Sequence, residues 1–217
     1  MMPLPLVRGG ERLRILCLGA HADDIEIGAG GTILALIAAG HRIDVHWCVL
    51  SGNAERARES LKSAEAFLDG AASRTVELGN FDDSYFPNQS REIKDWLKNI
   101  QTRVEPDVIF THSRHDAHQD HREVNRITSN IFRNHLILEY EIPKWDGDIS
   151  ERNTYIQLNT EILEKKIALL NKYFATQRSK DWFDSEVFRG LARLRGMECR
   201  SPSNFAEAFT IRKLTIG

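Results

Sequence analysis

The chain lacks any apolar run approaching the roughly 20 residues that a bilayer-spanning helix needs. Arg8, Glu11, Arg12 and Arg14 interrupt its beginning, which excludes the unbroken apolar stretch of a secretory signal. There is no basic excess either. The 29 Lys and Arg stand against 31 Asp and Glu, a formal charge of -2, which argues against a dedicated nucleic-acid binder. Cysteine is scarce: Cys17, Cys48 and Cys199 lie far apart and form no Cys-x-x-Cys pair. Cys17 and Cys48 fall in apolar, strand-like runs and read as buried reduced thiols. No repeat, low-complexity tract or long linker divides the 217 residues. The expectation is therefore a cytoplasmic protein with one domain, 1–217, made of a core at about 12–142 and a C-terminal elaboration at about 143–217.

Hydrophobic patterning predicts strands over 13–20, 43–50, 75–78, 108–110 and 136–142. Between them, helices are expected over 30–39, 54–68, 90–103 and 120–132, the first closed by Gly40. The alternation predicts an α/β fold, a Rossmann-like doubly wound and mostly parallel sheet. After Pro143 come a turn at 145–148, helices over 161–173 and 184–196, and a terminal strand over 205–214.

The most informative residues follow the first strand: His21-Ala22-Asp23-Asp24, with a run expected to turn at Gly28-Ala29-Gly30-Gly31. Open α/β sheets bind ligands at the carboxyl ends of their strands. The glycine run comes too late after the strand for a dinucleotide fingerprint. A second cluster follows the fourth strand, where His112, His115, His118 and His121 place four of the eight histidines within ten residues. Neutral imidazole is the commonest metal-ligating side chain, and such density has little structural use. His21, Asp24 and His121 would form a two-His, one-carboxylate set that leaves room for water, as in a catalytic zinc site. Asp23, diverging from its neighbour, would stand as general base. His118 would steady an oxyanion, and Asp120 would orient an imidazole behind the ligands. His41, His46 and His135 lack companions and read as structural.

Ala20-His21-Ala22-Asp23-Asp24-x-Glu26-x-Gly28 resembles the Ala-His-Pro-Asp-Asp-x-Glu-x-Gly signature of the PIG-L (LmbE-like) N-deacetylases. His118-Gln119-Asp120-His121 is similar to their His-Pro-Asp-His motif, Arg56-Ala57-Arg58-Glu59 to their Arg-x-x-Glu, and Phe205-Ala206-Glu207-Ala208-Phe209 to their C-terminal Tyr-Ala-Glu-Ala-Phe. Ala22, Gln119 and Phe205 depart from the pattern. The segment Glu139–Trp145 is similar to a bacterial subgroup tied to surface-polysaccharide or glycoconjugate synthesis.

The resemblance implies a Rossmann-like fold and hydrolysis of an N-acetylglucosamine-like acetamide, releasing acetate and a free amine. It implies Zn2+, or another divalent ion such as Fe2+, on His21, Asp24 and His121, with Asp23 and His118 catalytic. Arg56, His115 and Tyr140 are expected to contact substrate. The partner implied is a small amino sugar or glycoconjugate, and a homo-oligomer is compatible with the sequence. Arg178, Arg189, Arg193 and Arg195 suggest a substrate carrying an anionic group, with a solvated basic helix face as the alternative. A metal-dependent phosphoesterase and a non-enzymatic nucleotide-binding module are the rival readings.

Overall fold

The computed structural model describes residues 3–7 and 11–215. Five parallel strands, β1 (Arg12–Gly19), β2 (Arg42–Ser51), β3 (Ser73–Phe81), β4 (Val108–His112) and β5 (Leu136–Tyr140), form most of one sheet. Two antiparallel strands, β6 (Thr154–Leu158) and β7 (Phe205–Ile211), complete it in the order β3-β2-β1-β4-β5-β7-β6. The helices are α1 (Asp24–Ala38), α2 (Ala54–Phe67), α3 (Ser90–Gln101), α4 (Gln119–Ile131), α5 (Thr160–Tyr173) and α6 (Ser185–Glu198).

The apolar strands read as continuous runs because both faces of the sheet are covered. Ile15 and Cys17 of β1 pack in one core cluster with Trp47, Phe67, Leu163 and Phe209. Their neighbours Leu16 and Leu18 point the other way, against Ile93, Leu97 and Val124 of α3 and α4. The chain runs outward through β1, β2 and β3, then crosses back to β4 on the opposite side of β1. The crevice at that reversal, outside the carboxyl ends of β1 and β4, is where such a sheet offers a site.

Two elements differ from the sequence expectation. α1 begins at Asp24, six residues before the predicted start, so the glycine run is helix interior and not a turn. Its glycines serve close packing. A Cβ at Gly28 would lie 2.2 Å from the Tyr140 ring, one at Gly30 2.5 Å from Phe67, and one at Gly31 2.7 Å from Glu207. Nearly every residue of α1 is buried, so the helix presents no polar face and no 3.6-residue period to read. β6, the outermost strand beside β7, was not predicted at all. No helix among the described residues is long and apolar enough to cross a membrane.

Candidate active site

The loop after β1 is closed locally. The His21 amide donates to Asp24 Oδ2 at 2.6 Å, and Ser51 donates through N and Oγ to Ala20 O, each at 2.9 Å. Asp23, the N-cap of α1, takes φ +100°, a left-handed conformation that is strained for a residue with a Cβ. On the facing loop, His118 caps α4, and its Nδ1 accepts from the Asp120 amide at 3.2 Å. Helix geometry then sets His121 one turn on.

Hydrogen bonding sorts the four inner histidines. A backbone N–H can only donate, so His118 Nδ1 is an acceptor and Nε2 carries the proton. His112 Nε2 accepts from the Ala20 amide at 2.9 Å, so its lone pair is used. His121 Nδ1 donates to Asp116 Oδ2 at 2.9 Å, which leaves the Nε2 lone pair free. His21 Nε2 faces Asp120 Oδ2 and Asp83 Oδ1, each at 3.2 Å, and that leaves Nδ1 as its free lone pair. His21 Nδ1 and His121 Nε2 stand only 3.1 Å apart. Asp24 joins them, with Oδ2 3.4 Å from His21 Nδ1 and Oδ1 3.5 Å from His121 Nε2.

Two ring nitrogens and a carboxylate at this spacing suit a shared positive charge between them, a proton on His21 or a metal ion in its place. Donors about 2.1 Å from one ion stand about 3.0–3.4 Å apart at octahedral or tetrahedral angles; the three pairs are close to that spacing, with Asp24 using a different oxygen toward each histidine. The surrounding side chains fall into three overlapping donor groups: His21, His118 and His121; His21, Asp83, His118 and Asp120; and Asp24, His112 and His121. The tautomers just derived count against His118 and His112 as ligands.

The electrostatics agree. Burial pulls the His21 pKa down, but hydrogen bonds to Asp120, Asp24 and Asp83 carry it well above the ordinary value, so this position attracts positive charge. Burial, with the charge of His112 adding to it, lowers His121 to about 4, which keeps its ring neutral. Burial opposes ionisation of Asp24, yet His121, His112 and His21 hold it well below the carboxylate range. Burial raises Asp23 to about 7, against the pull of Arg56 and with the push of Asp24. Arg56 Nη2 donates to Asp23 Oδ1 at 3.0 Å and also to Ala22 O. Asn53, capping α2, fixes Arg56 there by accepting from its amide at 3.0 Å. Asp23 Oδ2 is buried and has no hydrogen-bond partner.

Some expected residues lie elsewhere. Tyr140 is fully buried, packs beside Gly28 and donates its hydroxyl to Leu18 O at 2.7 Å; its ring supports the site from behind and cannot reach a solute. His115 is exposed, and its ring joins none of the donor groups. Asp120 is buried, holds the Ser84 and Phe86 amides at 2.6 and 3.2 Å, and faces His21. Three of the four C-terminal arginines are engaged within the fold, while Arg193 is exposed and reaches only Asn204 O, at 3.4 Å. Arg195 is buried and donates twice to Glu141 at 2.7 Å, Arg189 pairs with Glu164, and Arg178 donates to Asn171 O at 2.8 Å. Sequence reasoning missed Asp116 as the partner of His121, and it missed Lys144, whose Nζ lies 3.0 Å from Asp116 Oδ1.

Comparison with known proteins points the same way. The chain is 29% identical over 181 residues to an uncharacterized deacetylase, YaiS of Escherichia coli (strain K12), covering 77% of this chain and 94% of that one. Its fold resembles N,N'-diacetylchitobiose deacetylase of Pyrococcus horikoshii, with TM-score 0.68 and 19% identity over 91% of this chain and 83% of that one. It also resembles GalB, a 4-carboxy-2-hydroxymuconate hydratase of Pseudomonas putida, with TM-score 0.75 and 18% identity over 94% and 98%. Fold alone therefore does not choose the reaction. The family model described as GlcNAc-PI de-N-acetylase matches residues 16–132, more than half of the 217, and takes in both histidine clusters. The chain belongs to the PIG-L family of de-N-acetylases.

Proposed function

We propose that the chain hydrolyses the acetamide of an N-acetylated amino sugar, using a divalent ion, Zn2+ in the first instance, held by His21, Asp24 and His121. The observation that carries this reading is the buried, unpartnered Oδ2 of Asp23 beside three converging donors. Such an ion, when bound, polarises a carbonyl and makes a neighbouring water more acidic.

The chain's own groups divide the remaining work. Asp23 is held by Arg56 through Oδ1, so Oδ2 is the oxygen that accepts the proton of the attacking water. With its pKa raised to about 7, it returns that proton readily to the leaving nitrogen. His118, neutral because burial lowers its pKa, donates from Nε2 to the carbonyl oxygen as charge gathers there. The C–N bond breaks, and acetate and a free amine result. Asp116 and Asp120 fix the tautomers of His121 and His21.

Incubation of the zinc-loaded protein with N-acetylated amino sugars and glycans, followed by assay of free acetate and primary amine, tests the reading. Equimolar acetate and amine are expected. Conversion without acetate would refute it, as would unchanged metal content in His121→Ala.

A further inference from the structure

The turn between β5 and β6 carries the most exposed large apolar side chain among the described residues, Trp145, at 70%. Its orientation is fixed nonetheless. Trp145 Nε1 donates to Asp181 Oδ1 at 2.6 Å, and its ring meets Trp182 edge-on, with centroids 6.3 Å apart and planes at 84°. Trp182 rests in turn on buried Phe183, and Lys180 Nζ lies 5.5 Å above its ring. An indole held by two partners with its face in water gains little for the fold, because the apolar area that would stabilise it stays exposed.

The turn that carries Trp145 touches the catalytic loop on both sides of the indole. Lys144, next to Trp145, binds Asp116, the residue that holds His121. Asp148, three residues on, accepts the Ala117 amide at 2.7 Å, just before His118. The exposed indole therefore stands at the lip of the site. Its exposed face matches the apolar C–H face of a pyranose, and the Asp181 carboxylate at its Nε1 edge can accept from a sugar hydroxyl.

We infer that Trp145 is a stacking platform for a second sugar ring, linked to the ring that carries the acetamide. The substrate class is thus an oligosaccharide or glycoconjugate and not a free monosaccharide. Which ring loses its acetyl group rests on the deacetylase reading above; the stacking contact does not.

The test compares N-acetylglucosamine with its β-1,4-linked dimer on the zinc-loaded protein. The dimer should have the higher kcat/KM, and Trp145→Ala should lower the dimer-to-monomer ratio about five- to tenfold, the scale of one aromatic contact. Trp145→Phe should retain most of it. In parallel, the Trp145 indole N–H resonance, assigned from the Phe variant, should shift on titrating the dimer onto Asp23→Asn protein, and not on titrating the monomer. A ratio that Trp145→Ala leaves unchanged overturns the inference, and so does an indole resonance unmoved at saturating dimer. A shifted indole without acetate release from either sugar would support the platform and sink the deacetylase reading.

Discussion

Replacing Asp116 by Asn should weaken metal binding without touching a ligand. Asp116 is buried and has three partners: His121 Nδ1 at 2.9 Å, Lys144 Nζ at 3.0 Å and the His118 amide at 2.8 Å. Its charge holds His121 as the Nδ1–H tautomer, with the Nε2 lone pair turned toward His21 and Asp24. The carboxylate is held well below its usual range, because the hydrogen bond from His121 and the charge of Lys144 outweigh its burial. Asn keeps the shape but loses the charge and can offer His121 an amide N–H, which favours the wrong tautomer. Loss of such an outer partner typically weakens metal affinity 10–100-fold, about 1.4–2.7 kcal/mol. Competition for Zn2+ against a chromophoric chelator at pH 7.5 measures it directly, with urea unfolding of the metal-free protein as control for lost stability. Wild-type zinc affinity in a folded Asp116→Asn protein would refute the tautomer assignment and, with it, the choice of His121 Nε2 as the donor.

Asp23→Asn should retain zinc and lose about 10²–10⁴-fold in kcat, read by acetate release; a near-normal rate would move the base elsewhere. Glu26 is fully buried with both oxygens unpartnered, and burial raises its pKa to about 8. Between its unfolded value of 4.5 and about 8 the folded state holds a proton that the unfolded state has released, so this group lowers stability as pH rises. Glu26→Gln should remove that contribution, and urea midpoints for variant and wild type should diverge steadily from pH 5 to pH 8; parallel profiles would show that Glu26 ionises normally. Gly28→Ala puts a methyl 2.2 Å from the Tyr140 ring and should destabilise the fold by about 1–3 kcal/mol or more, checked by thermal unfolding.

What the sequence could disclose depended on how local the signal was. That His21, Asp24, His118 and His121 meet was legible because two strand–loop–helix junctions each carry these residues within a few positions. The parallel strands were legible for a similar reason, since burial on both faces leaves a continuous apolar run. α1 was cut short in prediction because its first turns are buried on every side, where helices have no period, and because glycines that admit Tyr140, Phe67 and Glu207 look like turn residues. Glu207 shows why the C-terminal motif was harder still. It accepts from Gly31 N, Thr32 N and Thr32 Oγ1, at 2.8, 2.7 and 2.7 Å, and pairs with Lys166 at 2.6 Å, while Lys166 also donates to Ile27 O. A buried ion pair from β7 and α5 thus braces the interior of α1, whose first turn carries Asp24. No spacing rule links residues 176 positions apart. The pairing of Arg189 and Arg195 was illegible for the same reason: their carboxylate partners Glu164 and Glu141 lie 25 and 54 positions away, and composition counts a cation without showing what neutralises it.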